Sequence, residues 1–245
     1  MKPSPTHCQN DMSNTSQQRV AVRDASTKER ILNVAERLFV NDGYSKSSMR
    51  QITAKAGASL GAVNYHFGSK EELLEAVVER QFGPLLMERI SGLRAVEAAL
   101  QTDKSEIMLR LLQSWLDPML RHLAVNPRHV KILYALDQVV AAESKSILRA
   151  ISPYQNYLVQ FGKALHGTRP DLSLETIYWR FHFMIGAVSL ALSESEFMLI
   201  TSEKMCDAAD LRCFRSQLLS AAMLMFGFRE GDVSRAICSM SEFSH

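Results

Sequence analysis

An all-α fold is predicted by three features of the sequence. Apolar residues recur three and four positions apart through most of the chain, and no period-two segment is flanked by hairpin turns. The apolar runs tend to open at hydroxyl or acidic residues and to break near glycine or proline. No internal repeat is present. At 245 residues the chain can hold one or two domains with a sizeable core, and 47% apolar against 22% charged content is that of a globular protein. A net charge of +2 is too small to point to a partner, because it can hide local asymmetry.

Taken in order, residues 1–25 are rich in Ser, Thr, Asn and Gln and poor in large apolar groups, and so read as a flexible arm. Order begins at Ser26-Thr27-Lys28-Glu29, a capping-box spacing, and Ile31, Ala35, Leu38 and Phe39 follow at helical intervals up to Asn41-Asp42-Gly43. Ser47-Ser48 caps a short helix through Ile52 and Ala56 to Gly57. Ser59 caps a third, carrying Val63 and Phe67 and ending at Gly68. Ser69-Lys70-Glu71-Glu72 opens a fourth with Leu73, Leu74, Val77, Val78 and Phe82 on one stripe, expected to end or kink at Pro84. Beyond it, Met108 to Met119 forms an amphipathic segment closed or kinked near Pro118. Another starts at Asn126-Pro127 with Val130, Leu133, Tyr134 and Val140, and a third spans Ile147 to Leu165. One long apolar helix is expected from Leu174 to about Ile200, and a last one from Leu211 to Phe226, ended by Gly227.

Several function classes fall away. The N-terminus lacks an apolar core of signal-peptide length, so the chain is expected to be cytoplasmic. Phe181–Leu192 is interrupted by His182 and Ser189 and is shorter than the ~20 residues a membrane span needs, so no membrane association is expected. Cys8, Cys206, Cys213 and Cys238 show no C-x-x-C spacing and read as free thiols; Cys206 and Cys213, two helical turns apart, are too distant for a simple disulfide. No metal-ligand or acid/base cluster appears, so neither cofactor, metal nor enzymatic activity is expected.

Gly57-Ala58-Ser59-Leu60-Gly61 fits G-x-S-x-G, the pattern of a hydrolase nucleophile elbow. Such an elbow needs a strand before it, whereas "SSMRQITAKA" is capped and helical in pattern, and no alternating βαβ sequence exists to build the sheet. The same residues suit a helix-turn-helix. Gly57 supplies the tight turn, Ala54 and Ala56 allow close approach, and Ser59 caps a helix whose N-terminal end points outward. Ile52, Val63 and Phe67 then face inward, leaving Leu60, Gly61, Asn64 and Tyr65 outward with His66 at the edge. The small Gly61 and Ala62 let the backbone approach base edges. Between Arg19 and Lys70, nine Lys or Arg stand against four acids, the excess that phosphate attraction needs. Arg19 and Arg23 could extend this contact from the arm, or the arm could be a solvated tail.

"ERLFVNDGY" followed by "SSMRQITAKAGASLGAVNYHFGSKEEL" resembles the DNA-binding domain of TetR-family transcriptional regulators over Thr27 to about Leu74. The resemblance implies that Ser48 and Arg50 touch backbone and base, that Leu60, Gly61 and Ala62, on the helix capped by Ser59, face base edges, and that Asn64, Tyr65, His66 and Lys70 bind phosphates or neighbouring bases. Asn64 stands where most members carry a phosphate-binding tyrosine, with Tyr65 beside it as a substitute. It further implies a helix-turn-helix domain over 26–72, a helical effector-binding and dimerisation domain over 73–228 and a C-terminal tail over 229–245.

The implied partners are a palindromic operator in duplex DNA, a second copy of the chain and a small-molecule effector. The dimer would use the last two long helices, through Ile177, Phe181, Met184, Ile185, Val188 and Leu192 with Leu218 and Met225; a helix apolar on several faces supports this, since it must be buried on most sides. "YWRFHFMIGA" is similar to a branch that includes the fatty-acid-responsive regulator of pseudomonads, and His182 within it reads as an interface histidine. Arg180 suits a ligand carboxylate or an interface salt bridge. An effector site inside the bundle would draw on Phe82, Leu86, Leu112, Trp115, Leu116, Met119, Tyr134 and Phe161, an adaptable apolar lining suited to a fatty acyl compound. Binding would change the roughly 34 Å spacing of two recognition helices and so release DNA. The alternative is a helical interaction module with degenerate DNA binding that acts through protein partners.

Overall fold

The computed structural model describes residues 26–39, 41–99, 103–125, 145–193 and 195–241, and every regular element among them is helical. The arm over 1–25 and the segment holding Val130, Leu133, Tyr134 and Val140 lie outside the described residues. Ten helices follow in order: α1 (26–39), α2 (Met49–Ala56), α3 (Leu60–Phe67), α4 (Lys70–Ala98), α5 (Lys104–Val125), α6 (Lys145–Thr168), α7 (Leu174–Ser193), α8 (Ser195–Thr201), α9 (Leu211–Met225) and α10 (Glu230–Ser241).

Two apolar cores organise them. The first joins Ile31, Leu32, Val34, Ala35, Leu38 and Phe39 of α1 to Ile52 and Ala56 of α2, Val63 and Phe67 of α3, and Leu73, Leu74, Val77 and Val78 of α4. It therefore crosses the expected 72/73 boundary and takes in two further turns of α4. The second is built around α5, which touches α4, α6, α9 and α10 and buries eleven of its residues, from Ser105 to Leu123. A helix enclosed on that many sides must be apolar around much of its circumference. Phe82 packs against both cores, so α4 is shared between them.

Pro84, Pro118 and Pro153 end none of these helices. α4 continues for 29 residues through Gly83-Pro84, and α5 and α6 run through Pro118 and Pro153. In α4 the ladder bond that Pro84 removes is offset by burial on either side of it, Leu73 to Val78 before and Leu85 to Leu93 after. Two other expectations are corrected. The Leu174–Ile200 helix is instead α7 followed by α8, turned from it by 82°. The expected tail over 229–245 contains α10, whose Val233 and Ala236 are buried in the second core. Among the described residues no single helix is long and apolar enough to cross a membrane.

Candidate nucleic-acid interface

Three serines, one at the start of each of three successive helices, set the local geometry. Ser48 Oγ accepts from the Gln51 amide at 3.2 Å while Gln51 Oε1 accepts from the Ser48 amide at 2.8 Å, closing a capping box at the start of α2. Ser59 Oγ accepts from the Ala62 amide at 3.1 Å and starts α3. Ser69 and Glu72 repeat the box at α4, with 3.1 and 2.8 Å contacts. Gly57 between α2 and α3 has φ 59, in the left-handed region, and its amide meets the Ala54 and Thr53 carbonyls. Ser59 thus lies between two helices as a cap, and G-x-S-x-G is here a helix-turn-helix corner.

The inner face of α3 is fixed by Val63, fully buried, and Phe67, 6% exposed. Its outer face presents Ser59, Leu60, Gly61, Asn64 and Tyr65 to solvent, with Leu60 48% and Tyr65 78% exposed, while Ala62 and His66 sit half-buried at the margins. Tyr65 and His66 meet edge to face at 5.1 Å between ring centroids. Ser48 and Arg50 on α2 are exposed on the same module. Apart from His66, α3 carries no ionisable side chain but Tyr65, and the cations Lys46, Arg50, Lys55 and Lys70 lie on the segments that flank it in the chain.

Lys70 differs from the rest. Its Nζ donates to the Tyr44 carbonyl at 2.6 Å and lies 4.1 Å from the Tyr44 ring centroid, docking the N-terminus of α4 on the loop after α1. Burial lowers its pKa, against an opposing pull from Glu71. Tyr44 donates its hydroxyl to Glu71 Oε1 at 3.1 Å and is pushed up to about 12, mainly by burial and then by the Glu71 charge. Arg80, absent from the sequence reading, ties α4 to α1 by donating to Glu29 at 3.3 Å and Asn33 at 2.8 Å and by pairing with Glu36. Its partners lie more than 40 residues away, beyond the reach of any local pattern.

In the second domain, Leu112, Trp115, Leu116, Met119 and Phe161 are buried and Phe82 and Leu86 half-buried, all in one core; Tyr134 lies outside the described residues. Of the eight residues expected at a dimer interface, four are buried within the protomer itself. Ile177, Phe181, Met184 and Val188 are at most 3% exposed and form the inner face of α7, committed to the protomer's own core. Ile185, Leu192 and Leu218 are half-buried against that core, and Met225 is half-buried. The face left to solvent carries Trp179, Phe183 and Leu190, each 58–62% exposed, and on the adjoining α9, Leu224. His182, on that outer face, has its Nδ1 2.8 Å from the Tyr178 carbonyl.

Two family models match the sequence. The bacterial regulatory proteins, tetR family, model covers residues 31–77, and the tetracyclin repressor-like C-terminal domain model covers 113–223. The chain belongs to the TetR family. Among curated relatives, the HTH-type transcriptional regulator SrpR of Pseudomonas putida is 39% identical over 67 residues, 27% of this chain and 32% of that protein. The HTH-type transcriptional repressor BepR of Brucella suis biovar 1 is 32% identical over 62 residues, 25% of this chain and 30% of that protein. The chain thus matches about a third of the length of these relatives. The solved fatty acid degradation regulator FadR of Bacillus halodurans shares the fold at a TM-score of 0.53 and 16% identity, over 82% of this chain and 99% of that one. A TetR-family regulator of Shewanella sp. PV-4, described as putative, does so at 0.50 and 20%, over 82% and 95%.

Proposed function

We propose that this TetR-family chain is a homodimeric transcriptional repressor that binds a palindromic operator through α3 and leaves it when a small effector occupies the bundle. The observation that carries the reading is the division of α3 into a buried face, Val63 and Phe67, and an exposed face of Leu60, Gly61, Asn64 and Tyr65. A neutral reading helix suits contacts to base edges and thymine methyls, and Arg50, Lys46 and Lys55 on the flanking segments supply phosphate attraction. Ser48 and Lys70 join the backbone contacts in this reading. BepR, a relative over 62 residues, is a repressor by name, which favours repression as the outcome.

Dimerisation through the outer faces of α7 and α9 follows from the exposed Trp179, Phe183, Leu190 and Leu224, an apolar stripe of the kind that marks an interface. The lever is α4: its first turns belong to the reading domain's core and its later turns to the bundle. A ligand that binds one spacing of the two reading helices better shifts the population by that differential affinity and no more. An apolar effector, a fatty acyl compound among them, fits the aromatic and methionine-rich core.

The test is a pull-down of genomic duplex fragments by the purified protein, followed by affinity measurement on the enriched site at several salt concentrations. An enriched palindrome supports the proposal. Uniform, weak, salt-sensitive binding without an enriched site would instead identify a degenerate helix-turn-helix, leaving the bundle to act through protein partners.

A further inference from the structure

Six side chains of the bundle form a closed circuit. The Arg89 guanidinium carbon lies 4.7 Å from the Trp115 ring centroid. Trp115 meets Phe181 at 5.4 Å, Phe181 meets Phe161 at 5.2 Å, and Phe161 meets Tyr157 at 5.6 Å. Tyr157 stacks on Tyr154 at 6.0 Å, and Tyr154 Oη accepts from Arg89 Nη1 at 3.0 Å, which closes the loop. Five of the six are no more than 4% exposed, and Tyr154 is half-buried.

Every polar side chain of the circuit has a proton to donate. Arg89 Nε donates to the Trp115 carbonyl at 2.8 Å, and among the described residues no carboxylate pairs with its charge. Trp115 Nε1 and Tyr157 Oη are buried with no hydrogen-bond partner among the described residues. Tyr154, having accepted from Arg89, keeps its hydroxyl proton to give. Burial pushes the Tyr157 hydroxyl up, so it stays protonated and able to donate. Unpaired donors and an uncompensated guanidinium are costly in such surroundings, and what relieves all of them at once is an anionic acceptor.

We infer that this circuit is the head-group subsite of the bundle's effector site and takes an organic carboxylate with an apolar body. The inference rests on the effector-gated reading above and adds the ligand's chemical class. A carboxylate brings one compensating charge and two oxygens with lone pairs for Arg89, Trp115 Nε1 and Tyr157 Oη. The rings of Phe161, Phe181 and Trp115 enclose the apolar remainder. Arg89 stands on α4, so occupancy acts directly on the helix shared by both cores.

The experiment uses the full chain carrying Trp179→Phe, which leaves Trp115 as the sole tryptophan. Octanoate and 3-phenylpropionate, as acyl and aryl carboxylates, are titrated against Trp115 fluorescence beside 1-octanol and 3-phenylpropan-1-ol. The expected result is that at least one acid binds about tenfold or more tighter than its alcohol, and which acid wins assigns the body as acyl or aryl. Arg89→Met should remove the preference for the acid. Tyr157→Phe keeps the packing and removes one orphaned donor; it should weaken the acid severalfold while leaving the melting temperature of the free protein unchanged or higher. Equal binding of acid and alcohol, no response to either acid, or an unchanged acid affinity in Tyr157→Phe would each overturn the inference. Operator release is measured separately: an acid that binds at Trp115 yet leaves DNA bound overturns the effector-gated reading and supports the subsite.

Discussion

At the scale of single residues, exposure separates side chains that face a partner from those that hold the fold. Tyr65 is 78% exposed, so Tyr65→Ala should leave the melting temperature unchanged and cost operator affinity roughly tenfold to a hundredfold in a duplex titration at fixed salt. Lys70 serves both ends, and Lys70→Met should lower stability and DNA affinity together, because it removes the tether to the Tyr44 carbonyl as well as a cation. Asp103 shows the same logic in the bundle. Its Oδ1 accepts from the Ser105 hydroxyl and amide and from the Glu106 amide, and these bonds, the hydroxyl's first, hold its carboxyl below the usual value. A carboxyl depressed by folding contributes stability that is present above its unfolded pKa, about 3.9, and lost as pH falls through the lower folded value. Asp103→Ala should cost about 1 kcal/mol in denaturant titrations near neutral pH, and the difference from the parent should shrink at the acid end.

At the scale of elements, glycine positions distinguish strain from crowding. Gly57 is left-handed with open space where a Cβ would sit, so Gly57→Ala should cost roughly 1–2 kcal/mol of backbone strain alone, a few degrees of melting temperature. A Cβ on Gly68 would collide with Glu72 Oε2 and break the capping box at Ser69 as well, so Gly68→Ala should lower the melting temperature further than Gly57→Ala. These corners were readable in the sequence because cap and turn chemistry act over three or four residues, and Ser48, Ser59 and Ser69 announce their helices without help from the fold. The continuation of α4 through Pro84 was not readable, since it depends on burial supplied by two separate cores. Nor was the facing of α7: a helix apolar all round does not say which side meets its own protomer, and Ile177, Phe181, Met184 and Val188 turn inward while Trp179 and Phe183 turn out. The sequence of α10 does carry Val233, Ala236, Ile237 and Met240 at helical spacing, but the stretch is short and follows Gly227, so it reads as a tail until Val233 and Ala236 are seen packed in the second core.

For the whole molecule, the outward stripe on α7 and α9 bears on assembly. The parent should sediment as a dimer at micromolar concentration, and Trp179→Glu with Phe183→Glu should give a folded monomer whose operator affinity collapses, because two linked reading helices are needed to span successive grooves. The long-range pairs that tie α4 to other helices, Arg80 to Glu29, Asn33 and Glu36, or Arg89 to Tyr154, carry no sequence signature, since their partners lie 44 to 65 positions away. The shared helix also dictates where the chain can be cut and rejoined. A chimera exchanging reading modules at residue 72 would strand Leu73, Leu74, Val77 and Val78 with the wrong neighbours. The seam belongs after Val78, on the turn that carries Phe82, with Arg80 travelling alongside the α1 carboxylates it grips.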